Sequence, residues 1–260
     1  MIAKKRALLL LAFILSSPLF LIAVLILMRN SHVPRNGTYD TMAVAIAIFL
    51  SFFAYLWLRR KLGENPAQPL LPRHGWAVAG WAVVGLLLSL LPYLLIVGWQ
   101  QIHWENLRLE LIFAATVVAI TPAFIEEVLF RDMLFRWMLG RYSVVGSIIV
   151  QVITFSALHF FSQRFGWHAV LTHVVGAILF SLLWLLTEDF IAPMAAHFVW
   201  NFTLAIFDGI YRSYVVRAGL LYGETPVSLI YGHLALEALA ILVVWWAWRR
   251  QRAATLTQLP

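Results

Sequence analysis

Two adjacent carboxylates, Glu126 and Glu127, close a long apolar run in the stretch Thr121-Pro-Ala-Phe-Ile-Glu-Glu-Val-Leu-Phe-Arg131. A carboxylate inside a bilayer costs on the order of 2.5–3.5 kcal/mol on insertion scales, so a pair of them in a membrane segment marks a functional site by default. Successive helical residues are about 100° apart, which turns the two acids in different directions and denies them a common task. Glu127 and Arg131 are spaced i, i+4 with the acid first, the favoured order for a helical ion pair, and Asp132 and Arg136 repeat the spacing. On this reading Arg131 neutralises and braces Glu127, and Glu126 is the carboxylate left unpaired within its own helix. The plainer alternative is an amphipathic interfacial helix whose Arg131 and Arg136 reach for lipid phosphates.

Two further polar pairs have the same helical spacing. Phe155 and His159 share one face in Phe-Ser-Ala-Leu-His, and His197 and Asn201 share another in His-Phe-Val-Trp-Asn. Taken singly, each is a satisfied interface group or a polar link between neighbouring helices. Register joins them. If the helices flanking the turn Gly140-Arg141-Tyr142-Ser143 form an antiparallel hairpin, Glu126 and His159 are nearly equidistant from it. At about 1.5 Å per residue both lie roughly 25 Å from the turn, at matching depth, so that a carboxylate faces an imidazole. Counted from Glu188-Asp189, His197 and Asn201 lie roughly 12–18 Å into the membrane. His168 and His173 are too widely spaced for one helical face and read as interface or packing residues. His233 and Glu237 share a face of the last helix and read as a buried pair with little sign of a direct role.

The elements that must hold these groups are membrane helices. In 260 residues the chain is 62% hydrophobic and 12% charged, with 12 Trp, a composition that excludes an ordinary water-soluble core. It contains no cysteine, which excludes disulfides, thiolate catalysis and Cys-based metal sites. The net charge of +7 sits in short stretches beside apolar spans rather than on one soluble face, which points to anionic lipid and away from nucleic acid. Apolar runs of roughly 17–25 residues, enough to cross a bilayer, fall at about 7–28, 41–58, 76–99, 109–125, 143–161, 168–186, 190–207 and 227–247. The expected fold is therefore all-α, a polytopic bundle of about eight transmembrane helices. Residues 1–75 form an N-terminal helix pair with its linker, and 76–260 the motif-bearing domain, with a motif core at about 107–207.

Lys4-Lys5-Arg6 ahead of the first run reads as a retained signal anchor, because the run is too long for an ordinary signal peptide and no Ala-x-Ala site follows. With both termini in the cytoplasm, most of the 19 Lys and Arg fall on inside loops, among them Arg59, Arg60, Lys61, Arg141, Arg249, Arg250 and Arg252. Trp245, Trp246 and Trp248 beside them form an interfacial belt. The stretches 62–75 and 208–226 are the long polar connections, and no internal repeat is visible. Thr121-Pro122 is either a helix N-cap followed by proline or a kink in one longer helix, and either places a break just ahead of Glu126.

Glu126-Glu127-x-x-x-Arg131, Phe155-x-x-x-His159 and His197-x-x-x-Asn201, in that order on separate membrane helices, resemble the motif set of the CAAX protease and bacteriocin-processing (Abi) family. The resemblance covers roughly residues 107–207. Asp132 departs from it, since a small residue commonly follows the motif arginine there; this bears on local packing rather than on reacting groups. The resemblance implies an intramembrane glutamic endopeptidase of the type II CAAX prenyl endopeptidase kind, with a site open to the cytoplasmic side. It implies that Glu126 and His159 activate a water, that His197 and Asn201 bind the oxyanion, and that Glu127 and Arg131 support them. No cofactor is implied. The rival is zinc-assisted hydrolysis, for which Glu126, His159 and His197 are acceptable ligands around an open fourth position. A different class of reading is a non-enzymatic immunity or scaffold protein, or a proton-coupled transporter. The expected partners are the bilayer and a membrane-associated protein or peptide: a prenylated tail, a bacteriocin leader or a sorting-signal tail. The expected location is a bacterial cytoplasmic membrane. Substrate and oligomeric state are not specified by these residues.

Overall fold

The computed structural model describes residues 75–162, 167–207 and 227–256, together with Ile46, Leu50 and Trp57, and every regular element among them is helical. The elements are α1 (Gly75–Pro92), α2 (Leu109–Glu126), α3 (Arg136–Leu139), α4 (Val144–Ser162), α5 (Trp167–Thr187), α6 (Ile191–Phe207) and α7 (Val227–Leu256). The expected first two spans, the signal anchor and both long polar connections lie outside the described residues, apart from isolated positions. Four stretches are long and apolar enough to cross a membrane: Val78–Val97, Leu111–Leu139, Val170–Thr187 and Val227–Ala254. Val144–Ala157 and Ile191–Phe207 are shorter apolar helices. With no water to satisfy the backbone in hydrocarbon, a chain of this composition closes its hydrogen bonds within helices. The protein is an integral membrane protein.

α1 ends in a π-helical turn, Tyr93–Val97, and Gly98 leaves it with φ 84°, a left-handed conformation that glycine adopts without a Cβ penalty. The surface connection to α2 carries Trp99 and Trp104, packed with ring centroids 4.3 Å apart and planes tilted by 34°, and exposed Glu105, whose carboxyl is held below its usual range first by a backbone hydrogen bond and then by His103. α1 lies close along α6. A Cβ added at Gly85 would fall 2.6 Å from the Ala196 carbonyl oxygen, an approach only glycine permits. Ser89 Oγ donates to the Gly85 carbonyl at 2.8 Å and lies 3.0 Å from Thr203 Oγ1, which ties the same two helices further along.

Of the two sequence expectations for Thr121-Pro122, α2 contradicts the N-cap start and agrees with a single longer helix that contains the proline. The helix runs through Pro122 to Glu126 with no new start, and the departure from α geometry follows Glu126 instead of preceding it, as a π-helix over Glu127–Phe135 that continues into α3. Proline removes the donor that the Val118 carbonyl would otherwise meet, and the Thr121 hydroxyl donates to the neighbouring Val117 carbonyl at 2.7 Å. The expected span at 109–125 is therefore part of a longer crossing, Leu111–Leu139. α7 also outruns its expected end at 247. Its 30 residues make about 45 Å of helix against a hydrocarbon thickness of about 30 Å, so its last turns emerge into the headgroup region. There Arg250 lies over Trp246 at 4.5 Å and Arg252 over Trp248 at 5.1 Å.

α5 and α6 are joined by a three-residue turn, Glu188-Asp189-Phe190. Glu188 adopts φ 56° to end α5, and Asp189 Oδ1 accepts the Ile191 and Ala192 N–H groups at 2.8 and 2.9 Å, capping α6. Burial pushes the Asp189 carboxyl above its usual range, against the two backbone hydrogen bonds that oppose the shift. The cap fixes where α6 begins, and with it the height of His197.

Candidate active site

The last residue of α2 and the first of the π-helix are the two acids, and they do turn apart. Glu127 and Arg131 are fully buried, with Arg131 Nη1 3.0 Å from Glu127 Oε1. Arg131 also reaches the Ala177 carbonyl of α5 at 3.5 Å, and its guanidinium lies between two rings, 5.0 Å from Phe155 and 5.4 Å from Phe180. A charge so buried needs this enclosure by an acid, a carbonyl and two aromatic faces. Asp132 and Arg136 form the second spaced pair at 3.2 Å, nearer the surface.

Glu126 faces the histidines. His159 Nε2, near the end of α4, lies 3.4 Å from Glu126 Oε1, and His197 Nε2, on α6, lies 3.7 Å from Glu126 Oε2. Each imidazole is held through its other nitrogen. His159 Nδ1 donates to the Phe155 carbonyl at 2.9 Å, and His197 Nδ1 donates to Glu127 Oε1 at 2.9 Å. Glu127 is thus more than the partner of Arg131: it also orients His197, a link that spacing within one helix does not reveal. Exposure separates the two acids. Glu126 and His159 are each 17% exposed, and Glu127 and Arg131 are 0%, so the reactive-looking pair can meet a small molecule while its brace is sealed. Asn201 stands one turn beyond His197 on α6 and is half-buried.

The hydrogen-bond inventory constrains the protons. A carbonyl oxygen only accepts, so His159 Nδ1 carries hydrogen and its Nε2 confronts Glu126. The Nε2···Oε1 approach of 3.4 Å then leaves room for a single proton, on the imidazole or on the carboxyl. The same holds for His197: with Nδ1–H given to Glu127, its Nε2 is either a lone pair or, in the imidazolium, a donor. Among the described residues, no group of three or more His, Cys, Asp or Glu side chains is arranged to hold a metal ion.

Two residues of α5 join the site that the sequence reading passed over. Phe180 stacks on His197, centroids 4.7 Å apart and planes 18° apart, and His173 packs against His159 at 4.3 Å. His173, Ala177 and Phe180 fall at i, i+4 and i+7, one stripe of α5, and that periodicity was the available signal. The i, i+5 spacing of His168 and His173 does not disclose it, and the His168 side chain lies outside the described residues. His233 and Glu237 are both buried but do not pair: His233 Nε2 donates to the Ser89 carbonyl at 2.9 Å, and Glu237 lies beside Gly176 of α5.

No curated protein and no solved structure matches the chain in comparison with known proteins. The stretch of chain that holds Glu126, Glu127, Arg131, His159, His197 and Asn201 is similar to a known family. Residues 108–203 match the family model described as type II CAAX prenyl endopeptidase Rce1-like, and to that extent the chain is similar to that family.

Proposed function

We propose that the protein is an intramembrane endopeptidase that hydrolyses a peptide bond of a membrane-associated protein or peptide, using a water activated by Glu126 and His159. The observation that carries this reading is the placement of the Glu126 carboxylate between the Nε2 atoms of two imidazoles, at 3.4 and 3.7 Å, beside a second acid neutralised by a buried arginine. Peptide hydrolysis needs a base within hydrogen-bond reach of a water, and the partly exposed Glu126–His159 pair offers one with a ready path for the proton. The water gives up a proton to the pair as its oxygen bonds to the scissile carbonyl carbon. The pair returns the proton to the departing amine nitrogen as the C–N bond breaks. His197, as an imidazolium held by Glu127, and the Asn201 amide supply donors to the tetrahedral oxyanion. Glu127 and Arg131 act by holding His197 and by balancing charge.

The reading includes a site that works without a metal. Zinc is the alternative that one observation favours: with both Nδ1 atoms engaged, neutral His159 and His197 would turn Nε2 lone pairs toward Glu126, as second-shell partners do for metal ligands. Exhaustive chelation separates the two. Cleavage is expected to persist, with no zinc by elemental analysis; loss on chelation and recovery with zinc would establish the metal reading.

The orientation proposed places the Arg-rich end of α7 and the 140–143 turn in the cytoplasm of a bacterial cell, by the distribution of basic residues. A prenylated tail, a bacteriocin leader and a sorting-signal tail all present a peptide bond near a bilayer. Comparing membrane proteomes of cells with the wild-type chain and with Glu126→Gln tests the function: new termini beside a hydrophobic segment are expected with the wild type alone. Identical termini in both, with the cellular phenotype intact, would favour a scaffold or immunity role.

A further inference from the structure

We propose that His173 is a positioning residue that fixes the ring of His159, a role that rests on the proteolytic reading above. His159 sits in the last turn of α4, where helices fray, and the hydrogen bond that holds its Nδ1 comes from Phe155 of the same helix. Its contact to Glu126, at 3.4 Å, is too long to aim the ring alone. The ring is steadied on its flanks. Phe155 and His173 each place a ring centroid 4.3 Å from His159, both tilted by 35°, and lie 6.1 Å from each other, so His159 occupies the corner of a three-ring cluster. Phe155 moves with His159 on α4. His173 is the member of the cluster that ties the imidazole to a different helix.

The arrangement is repeated on the other side of Glu126. Phe180, two turns along the same stripe of α5, lies flat on His197 at 4.7 Å. α5 therefore supplies one planar ring to each of the two imidazoles that face the carboxylate, and Arg131 lies between these supports against the Ala177 carbonyl. The charged and titratable groups around His159 are Glu126 and Arg131 from the α2 crossing, His197 from α6 and His173 itself from α5. His173 meets His159 by ring packing at 4.3 Å, and the effect proposed for it passes through the plane of His159.

The test compares wild type, Glu126→Gln, His173→Ala and His173→Phe in lipid nanodiscs, with a quenched-fluorescent farnesylated CAAX peptide as probe. His173→Ala is expected to lower kcat roughly 10- to 100-fold, the scale of loss from sub-ångström to ångström misplacement, with KM and the thermal midpoint unchanged. His173→Phe, which restores a flat ring without an ionisable nitrogen, is expected to recover most of kcat. An unchanged kcat in His173→Ala, or equal losses in the Ala and Phe variants, would overturn the proposal. Failure of the proteolytic reading shows separately, as full cleavage by Glu126→Gln; absence of cleavage by wild type shows that this peptide is not the substrate. In either event the ring-nitrogen NMR signals of His159 decide: displacement in His173→Ala with restoration in His173→Phe supports positioning, and unmoved signals refute it.

Discussion

At the scale of single residues, the arrangement divides labour between two neighbouring acids by burial. Glu127 shares one oxygen between Arg131 and His197, and removing Arg131 or Glu127 strands the charge of the other where no water reaches it. Breaking a buried pair from one side costs roughly 3–5 kcal/mol. Arg131→Ala and Glu127→Ala are each expected to destabilise the folded protein by about that much, read by denaturant unfolding in lipid, and the double variant to lose less than the sum of the two. Asn201 is a different case. If its amide donates to the oxyanion, Asn201→Ala lowers kcat by roughly 100- to 1,000-fold, with unfolding stability little changed. A fall in stability without a specific fall in kcat would instead make Asn201 a link between helices.

At the scale of elements, the site depends on how closely α6 is held. Gly85 allows α1 to touch the Ala196 backbone, the residue before His197. Gly85→Val forces the helices apart or strains both, at a cost of about 1–3 kcal/mol for overpacking. The expected result is a lowered thermal midpoint together with reduced turnover, since His197 moves with α6; a midpoint equal to wild type would show that the two helices part freely. The same elements show what the sequence discloses. The Glu127–Arg131 pair was legible from helical periodicity, and the approach of Glu126 to His159 from helical rise once an antiparallel hairpin about the 140–143 turn is assumed. The π-helix after Glu126 was not, because a shift from i+4 to i+5 hydrogen bonding is settled by packing rather than by any one residue type. Nor were the Glu127–His197 hydrogen bond and the α5 stripe. In lipid, both core-facing and lipid-facing surfaces are apolar, so the ring of Phe180 carries no mark of which neighbour it will meet.

At the scale of the whole molecule, α2 with its π-helix, α4, α5 and α6 each bring a part of the site, and the Rce1-like match at 108–203 spans these helices almost entirely. α1 and α7 lie outside the match and act as walls: α1 along α6, and α7 against α5, where Glu237 rests beside Gly176. The all-helical membrane architecture was readable from composition and run length, and the helix ends less so, since α7 continues on helix-favouring Arg, Gln and Ala residues beyond its apolar part. The central claim is that Glu126 activates the attacking water at the junction of these helices. It is tested most directly by kcat/KM for purified wild type and Glu126→Gln in liposomes, on one membrane peptide substrate, at matched protein and matched thermal midpoint. The account predicts cleavage by wild type and none detectable above background by Glu126→Gln; turnover by Glu126→Gln near the wild-type rate would contradict it.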